Sequence, residues 1–278
     1  MEKITFKYFL PEALIFILSL FLGILAALEL QAFYLLNDIT VGVASPLDFV
    51  LQFVLATGIL LFIIYFFRKK KVKKVFFKVI FFFALLFGNL YFLGLFLPPL
   101  VVFLWLVFLC VFLIKKPSLF IHNTGLVFAI CGIGAGLGTQ LNPLAVVVLL
   151  ALFSIYDFIA VYKTKHMVKM AEEMLQSRAI MGFIIPKKLS ELKAEPKEIK
   201  PGGKFLVLGA GDIVFPLMLT CSVVSTGLLE AIVVGVFSFL GLLFSFFLFS
   251  SKKKRTPMPA LPPIALLSII GYFVTMLI

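Results

Sequence analysis

Two aspartates, Asp157 and Asp212, are the residues of this 278-residue chain whose type and setting favour chemistry. Each lies inside an apolar stretch long enough to cross a membrane. A carboxylate at membrane depth is costly, so it is a functional-site hypothesis by default. Two carboxyls that meet there can share one proton, and such a pair can work as acid and base.

The spacing of the two aspartates from the nearest basic residues predicts that they lie at the same depth. Asp157 comes six residues before Lys163, roughly 9 Å along a helix. Asp212 comes eight residues after Lys204, roughly 12 Å on the same scale. Because the first stretch runs inward and the second outward, antiparallel helices can place the carboxyls opposite one another.

The residues next to the aspartates can each be interpreted in more than one way. Gly209 and Gly211 remove side chains from the turn that carries Asp212, either for close helix packing or so that water or substrate can enter. We expect both glycines to lie on a helix that starts near 205, which Pro216 would unsettle. Tyr156 is an interfacial anchor, a packing residue or a site residue.

A third segment that is unusual for a membrane helix begins at Pro257. Prolines at 257, 259, 262 and 263 prevent regular helix around Pro259, Ala260 and Leu261. Irregular backbone at membrane depth is tolerated only where it is buried in protein or lines a water-filled cavity. The alternative is an ordinary helix start with proline in its first turn.

Composition identifies the class of protein that must position these residues. Hydrophobic residues make up 63% of the chain, and the mean hydropathy is +1.19, so the chain is a polytopic membrane protein. The net charge of +12 does not indicate a nucleic-acid partner, because the basic residues form short runs between apolar segments. The three cysteines lie in apolar stretches without metal-ligand spacing, and we expect buried thiols.

The apolar segments predict an all-α protein with nine transmembrane helices, at roughly 20 residues per crossing. They cover residues 12–34, 46–67, 75–96, 98–114, 119–138, 143–162, 205–226, 228–250 and 258–278. The first could be a signal peptide, since basic residues precede it. Its apolar run is longer than a signal peptide needs, so we interpret it as a helix.

The basic residues predict the orientation. All 25 Lys and Arg fall on one side when alternate connections are assigned to opposite sides, and the other side has none. By the positive-inside rule, the N-terminus is cytoplasmic and the C-terminus external. The expected location is the cell membrane, as a multi-pass protein.

One connection, 163–204, is long, and it divides the chain into three parts. Residues 1–162 form a six-helix bundle, 163–204 a cytoplasmic connection, and 205–278 a three-helix part. Apolar residues at helical spacing between Met167 and Leu175 predict an amphipathic helix at the membrane surface. Gly182 to Gly203 reads as a mobile linker.

The remaining polar residues give weaker signals. We expect Glu12, Asp38, Asp48 and Glu230 to be solvated near the interfaces, and Glu29 to be a packing or headgroup-facing charge. His122 and Asn123 are interpreted as a hydrogen-bonded packing pair. Neither a zinc site nor a serine triad is supported by the spacing of the histidines and serines, so no metal or cofactor is expected.

Three short motifs resemble those of the presenilin and signal peptide peptidase family of intramembrane aspartyl proteases. They are Tyr156-Asp157, Gly209-Ala210-Gly211-Asp212 and Pro259-Ala260-Leu261, in the family's order. Each is weak alone, but in spans six, seven and nine together they are highly specific, and the resemblance covers essentially the whole chain. Ala210 stands where leucine is usual.

The resemblance implies that Asp157 and Asp212 are the catalytic pair and that Pro259-Ala260-Leu261 shapes the active site. Ile213 to Pro216 is closer to the signal peptide peptidase branch, whereas the cytoplasmic long connection is the presenilin orientation. This mixture is similar to an archaeal presenilin homologue. Implied partners are transmembrane-helix substrates and lipids, without obligatory accessory subunits, and homo-oligomerisation stays open.

Other classes of protein remain as alternatives. A proton- or cation-coupled transporter could place two acids at the same depth. A prepilin-peptidase-like protease shares only the Gly-x-Gly-Asp element, and a scaffolding protein would leave the paired aspartates unexplained. For a protease, we expect an irregular stretch near the dyad, Pro259–Leu261 or residues 199–204, to pair with an unwound substrate as a strand that forms only with substrate.

Overall fold

The computed structural model describes residues 8–39, 48, 51–52, 54–55, 58–59, 70–115, 117–164, 167, 174, 180–186, 191–192, 205–251 and 258–277. The helices are α1 (Phe9–Leu36), α2 (Lys70–Gly94), α3 (Pro99–Lys115), α4 (Leu119–Gly138), α5 (Pro143–Phe158), α6 (Gly211–Ser222), α7 (Leu228–Ser250) and α8 (Leu261–Thr275). A π-helical turn, Ile159–Lys163, continues α5, and the strands β1 (Gly182–Ile185) and β2 (Leu206–Gly209) precede α6.

The helices confirm a multi-pass membrane architecture. By length and apolar composition, α1, α2, α4, α5 with its π-turn, and α7 could each cross a membrane, while α3, α6 and α8 are shorter apolar helices. Large apolar side chains face outward, among them Leu100 at 69% and Phe247 at 66% exposure. Such a surface suits lipid rather than water.

The described helices lie close to eight of the predicted spans. The second predicted span, 46–67, falls largely outside the described residues, and so does the predicted amphipathic helix between Met167 and Leu175. The count of nine spans and the three-part division of the chain therefore stay predictions.

Local sequence fixes where two central helices begin. The Ser118 hydroxyl accepts a hydrogen bond from the Ile121 amide at 3.3 Å and caps α4. The Asn142 side chain accepts from the Leu144 amide at 2.9 Å, with Pro143 as the first residue of α5. These caps satisfy amides that a helix start leaves free.

Helix α4 lies at the centre of the bundle. Its membrane-length window is 72% buried, against 33–44% for the other long helices. Glycines make this possible: a Cβ at Gly132 would collide with the Gly88 carbonyl of α2, and one at Gly138 would lie 2.7 Å from the Met218 carbonyl of α6. Backbones in such direct contact hold α2 and α6 rigidly on α4.

Helices α7 and α8 form a second tightly packed pair. A Cβ at Gly241 would lie 2.6 Å from the Ile264 Cα atom. The Ser238 and Ser268 hydroxyls are 2.7 Å apart and hydrogen-bonded within this contact. The pair places the start of α8 beside α5 and α6.

The predicted all-α fold is confirmed, with the addition of one short antiparallel sheet. Strands β1 and β2 pair with Gly182 opposite Gly209 and Ile185 opposite Leu206. The sequence reading that made Gly182 onward a linker, and started a helix near 205, is therefore wrong for these strands. A run such as Leu-Val-Leu-Gly is apolar in either conformation, so hydrophobicity alone could not separate the two.

The sheet is fastened to the bundle by α4. The Asn123 amide donates to the Ile184 carbonyl at 2.8 Å and accepts from the Ile184 amide at 3.1 Å. His122 Nε2 lies 3.1 Å from the Gly182 carbonyl, and its ring stacks on Phe81. His122 and Asn123 thus hydrogen-bond to β1 rather than to each other. Because β1 pairs with β2, they also fix the position of β2.

Candidate active site

Asp157 lies in the last turn of α5, directly before the π-helical turn. Its side chain is 6% exposed. The Leu261 backbone amide donates a hydrogen bond to its carboxyl group. The Oδ2 atom is buried without a hydrogen-bond partner among the described residues. One carboxyl oxygen is thus directed by the protein, and the other is left for another donor.

Asp212 lies in the first turn of α6, where the chain leaves β2. The Gly209 amide donates to Asp212 Oδ2 at 3.2 Å. The Ala210 amide donates to the Met181 carbonyl at 3.2 Å, which continues the sheet pairing up to the helix start. The strand end therefore fixes the carboxyl, and the helix N-terminus favours its negative charge.

The fold brings the two aspartates together from separate helices. The carboxyls are close enough for Asp157 to act electrostatically on Asp212. One turn away, the rings of Phe153 and Phe215 stack with centroids 4.4 Å apart. This ring pair joins α5 to α6 beside the carboxyls. Because the two acids lie so close together in a buried site, they cannot easily both ionise.

The segment of Pro259, Ala260 and Leu261 also reaches the site of the two aspartates. Pro259 is buried, Ala260 precedes α8, and Leu261 is its first residue. Leu261 is 4% exposed and belongs to the hydrophobic core. The segment reaches the site through its backbone, since the Leu261 amide contacts Asp157.

The other predicted site residues, which are Gly209, Gly211 and Tyr156, differ in whether they contact the dyad. Gly209 contacts the dyad directly, and a Cβ there would lie 3.0 Å from Asp212 Oδ2. Gly211 is the first residue of α6, and a Cβ there would meet only the Phe215 ring at 3.4 Å. The Tyr156 side chain lies on the surface of α5 and is 41% exposed.

Glu12 is a residue that sequence reasoning placed wrongly. It was expected to be solvated, but it is 5% exposed on α1, and the charge of Asp212 acts on it. The signal was present in the sequence: Glu12 shares a helix face with Ser19 and Gly23, seven and eleven residues later, and all three are buried. Asp38, Asp48 and Glu29 are exposed, and Glu230 is partly exposed.

The other candidate ligands do not assemble into a metal centre. Within the part of the chain that the structure describes, no group of three His, Cys, Asp or Glu side chains could hold a metal ion. The thiols of Cys131 and Cys221 are buried as expected and donate to the carbonyls of Ser19 and Gly23, both at 3.4 Å. Cys110 is only partly buried.

Comparison with known proteins agrees with this geometry. The family described as signal-peptide peptidase, presenilin aspartyl protease matches residues 13–278. No curated protein matches the chain significantly. Two solved structures of a presenilin family intramembrane aspartate protease, in space groups C222 and P2, have similar folds. The first is 22% identical with a TM-score of 0.61, covering 96% of this chain and 96% of its own. The second is 23% identical with a TM-score of 0.60, covering 95% and 96%.

The family match and the fold define a membrane-embedded aspartyl protease. The chain belongs to the signal peptide peptidase and presenilin family, and it is an intramembrane peptide hydrolase.

Proposed function

We propose that Asp157 and Asp212 are the catalytic dyad of this protease, and that it cleaves peptide bonds within or next to transmembrane helices. The observation that carries the proposal is the meeting of two acids from α5 and α6, each held by one backbone amide. A structural role gives no reason to place two carboxyls together in an apolar bundle.

The chemistry follows from the sharing of one proton. The ionised carboxyl acts as the base on a water molecule held between the two acids. The protonated carboxyl hydrogen-bonds to the scissile carbonyl and stabilises the oxyanion that forms. The proton then passes to the leaving nitrogen. The pair titrates jointly, so either aspartate can be the base.

Each neighbouring motif supports one of the two acids. The Gly209 amide orients one oxygen of Asp212, and the Leu261 amide orients Asp157. The Oδ2 atom of Asp157 has no hydrogen-bond partner among the described residues, so it is free to accept from the water molecule or to carry the shared proton. Tyr156, next to Asp157 in sequence, is exposed on α5, and we assign it no role at the reacting atoms.

The dyad is tested by conservative replacement. Asp157→Asn and Asp212→Asn should each abolish cleavage of a single-span substrate by purified protein in liposomes, while thermal unfolding stays near that of the wild type. Asp38→Asn is the matched control, because Asp38 is exposed and asparagine tolerates its positive φ of 50°. Substantial cleavage by either dyad variant would end this assignment.

The membrane topology is part of the proposal. The chain crosses the cell membrane nine times, with its N-terminus and the 163–204 connection in the cytoplasm and its C-terminus outside. The support is the confinement of all 25 Lys and Arg to one side. In a background with Cys110 replaced, cysteines placed at 139–142 should react with an impermeant external reagent, and those placed at 163–204 should not. The reverse pattern would mean the opposite orientation.

A substrate helix must unwind locally before the dyad can reach its carbonyls. The unwound substrate segment can then pair with strand β2. This strand ends at Gly209, and its Val207 side chain is 45% exposed. Within the described residues β2 pairs only with β1, so its other edge can take an extended peptide. The two segments predicted earlier to pair with substrate, Pro259–Leu261 and 199–204, stay open, and the latter lies outside the described residues.

The unwinding step is tested with paired substrates. Two single-span peptides that differ only in Gly against Leu at the cleavage region should be cut at different rates, with the Gly peptide faster, because Gly weakens the helix by about 1 kcal/mol per residue. Equal rates would show that unwinding does not limit cleavage.

The protease works without an accessory subunit in this proposal. Among the described residues, the two aspartates and the amides that hold them come from α5, β2, α6 and the start of α8 of this chain. Purified chain should therefore cleave substrate alone, and a strict requirement for a second protein would contradict this point.

A further inference from the structure

A third buried carboxyl lies beside the dyad. Glu12 on α1 is 5% exposed. Its Oε2 atom has no hydrogen-bond partner within the part of the chain that is described. Asp212 is the group whose charge acts on it. The family match begins at residue 13, so Glu12 lies just outside the matched segment.

The packing of α1 against α6 explains why Glu12 faces Asp212. The two helices touch at Gly23, where a Cβ would collide with Leu217, and where the Cys221 thiol donates to the Gly23 carbonyl. Glu12 lies eleven residues before Gly23, roughly 16 Å, and Asp212 nine residues before Cys221, roughly 13 Å. Parallel helices with this register bring the two carboxyls to the same level.

A packing role alone does not explain the residue. The same face of α1 is apolar, with Phe9 and Phe16 one turn before and after Glu12, and both rings contact α7. An unpaired buried carboxyl in such a setting costs free energy that Met or Leu would not. Its placement against another acid makes an ionised form still less favourable.

The other titratable groups on the helices that pack against α1 are occupied elsewhere. Among the described residues of α4, α6 and α7, Asp212 is the one that acts on Glu12. The rest are His122 and Cys131 on α4, Cys221 on α6 and Glu230 in the outer first turn of α7. Tyr8, the residue directly before α1, lies one turn before Glu12.

We propose that Glu12 is a positioning residue that stays protonated and whose O–H group serves Asp212 as a hydrogen-bond donor through one bridging water molecule. A protonated carboxyl has one O–H donor, which can stabilise the single negative charge of the dyad in a buried site. Ionised Glu12 would lose that donor and repel the dyad. This inference rests on the proposed catalytic role of Asp212.

Two substitutions of similar volume separate this role from packing. Glu12→Gln keeps a neutral donor, so kcat should stay within about threefold of the wild type, and activity should persist to higher pH than in the wild type because glutamine cannot ionise. Glu12→Met removes the donor but suits the apolar surroundings, so kcat should fall about 10- to 100-fold while stability is kept or raised. A packing role predicts the reverse order, with Met better than Gln.

The same assay provides control variants and can contradict the inference about Glu12. Glu29→Gln and Glu29→Met, at an exposed position on the same helix, should change neither rate nor pH profile. A fully active Glu12→Met variant, a folded but inactive Glu12→Gln variant, or an unfolded Glu12→Met variant would each overturn the inference. Cleavage by Asp212→Asn would instead overturn the proposed dyad, whatever Glu12 does.

A spectroscopic measurement covers the case in which Glu12→Gln does not fold. Wild-type protein with ¹³C-labelled glutamate carboxyls should show an infrared C=O band of a protonated acid at neutral pH, and Glu12→Met should lack it. A wild-type spectrum without that band would overturn the inference, because it would show every glutamate ionised.

Discussion

Adding a single methyl group at Gly209 should slow catalysis in this site while leaving substrate binding nearly unchanged. The Gly209 amide donates to Asp212 Oδ2 at 3.2 Å, and a Cβ on the same residue would lie 3.0 Å from that oxygen. Alanine there would therefore push on the carboxyl that its own amide holds. The neighbouring Gly211 offers a matched control, because a Cβ there would meet the Phe215 ring at an ordinary 3.4 Å.

The size of the effect follows from these distances. Carbon and oxygen that are not bonded sit about 3.4 Å apart, so the carboxyl must move by about 0.4 Å. The amide-to-carboxyl distance then reaches about 3.6 Å, at which the hydrogen bond is lost. Hydrogen bonds to charged groups contribute about 1.5–3 kcal/mol, so Gly209→Ala should lower kcat about 10- to 100-fold.

The assay is steady-state cleavage of a single-span substrate in liposomes, with kcat and KM measured separately. We expect Gly209→Ala to lower kcat with little change in KM, since the lost interaction acts at the reacting atoms. Gly211→Ala should stay within about threefold of the wild type, because alanine also favours the helix that begins there. Wild-type kcat in Gly209→Ala, or equal losses in both variants, would refute this reasoning.

Three further predictions concern the dyad and its support. The rate should follow a bell-shaped pH profile with two apparent pKa values that belong to the pair, and a flat profile with folding intact would contradict proton sharing. Asn123→Ala should destabilise the protein by about 3 kcal/mol in thermal or denaturant unfolding, since it leaves two buried backbone groups of β1 unpaired; an unchanged stability would show that α4 does not hold the sheet. Gly132→Ala should strongly destabilise the bundle because its Cβ would collide with α2, whereas Gly94→Ala, with open space around it, should not; equal stabilities would contradict the close contact.

The helices were predictable because two strong signals agreed. Apolar length set the number of residues per helix, and polar or proline residues such as Ser118 and Pro143 marked where helices begin. The meeting of Asp157 and Asp212 could also be predicted from their similar distances in sequence to Lys163 and Lys204, although strand β2 rather than helix precedes Asp212.

The sheet and the third carboxyl were not predictable in the same way. The apolar run at Leu206–Gly209 fits a strand or a helix, and what decides is its partner β1, more than twenty residues away and bonded in turn to Asn123. Glu12 lies close to the end of its helix, where a charge is usually solvated. Its burial depends on the packing of α1 against α6, and the helix face that it shares with Ser19 and Gly23 was the signal for it in the sequence.

The amides of Gly209 and Leu261 have a consequence for how this protease tolerates mutation. Both donors to the aspartates belong to the backbone, and every residue except proline carries an equivalent group. Side chains along these segments can therefore change while the donors remain. A saturation-mutagenesis screen for activity should find intolerance concentrated at the aspartates and at positions where a side chain crowds them, with proline the most damaging substitution elsewhere in the two motifs.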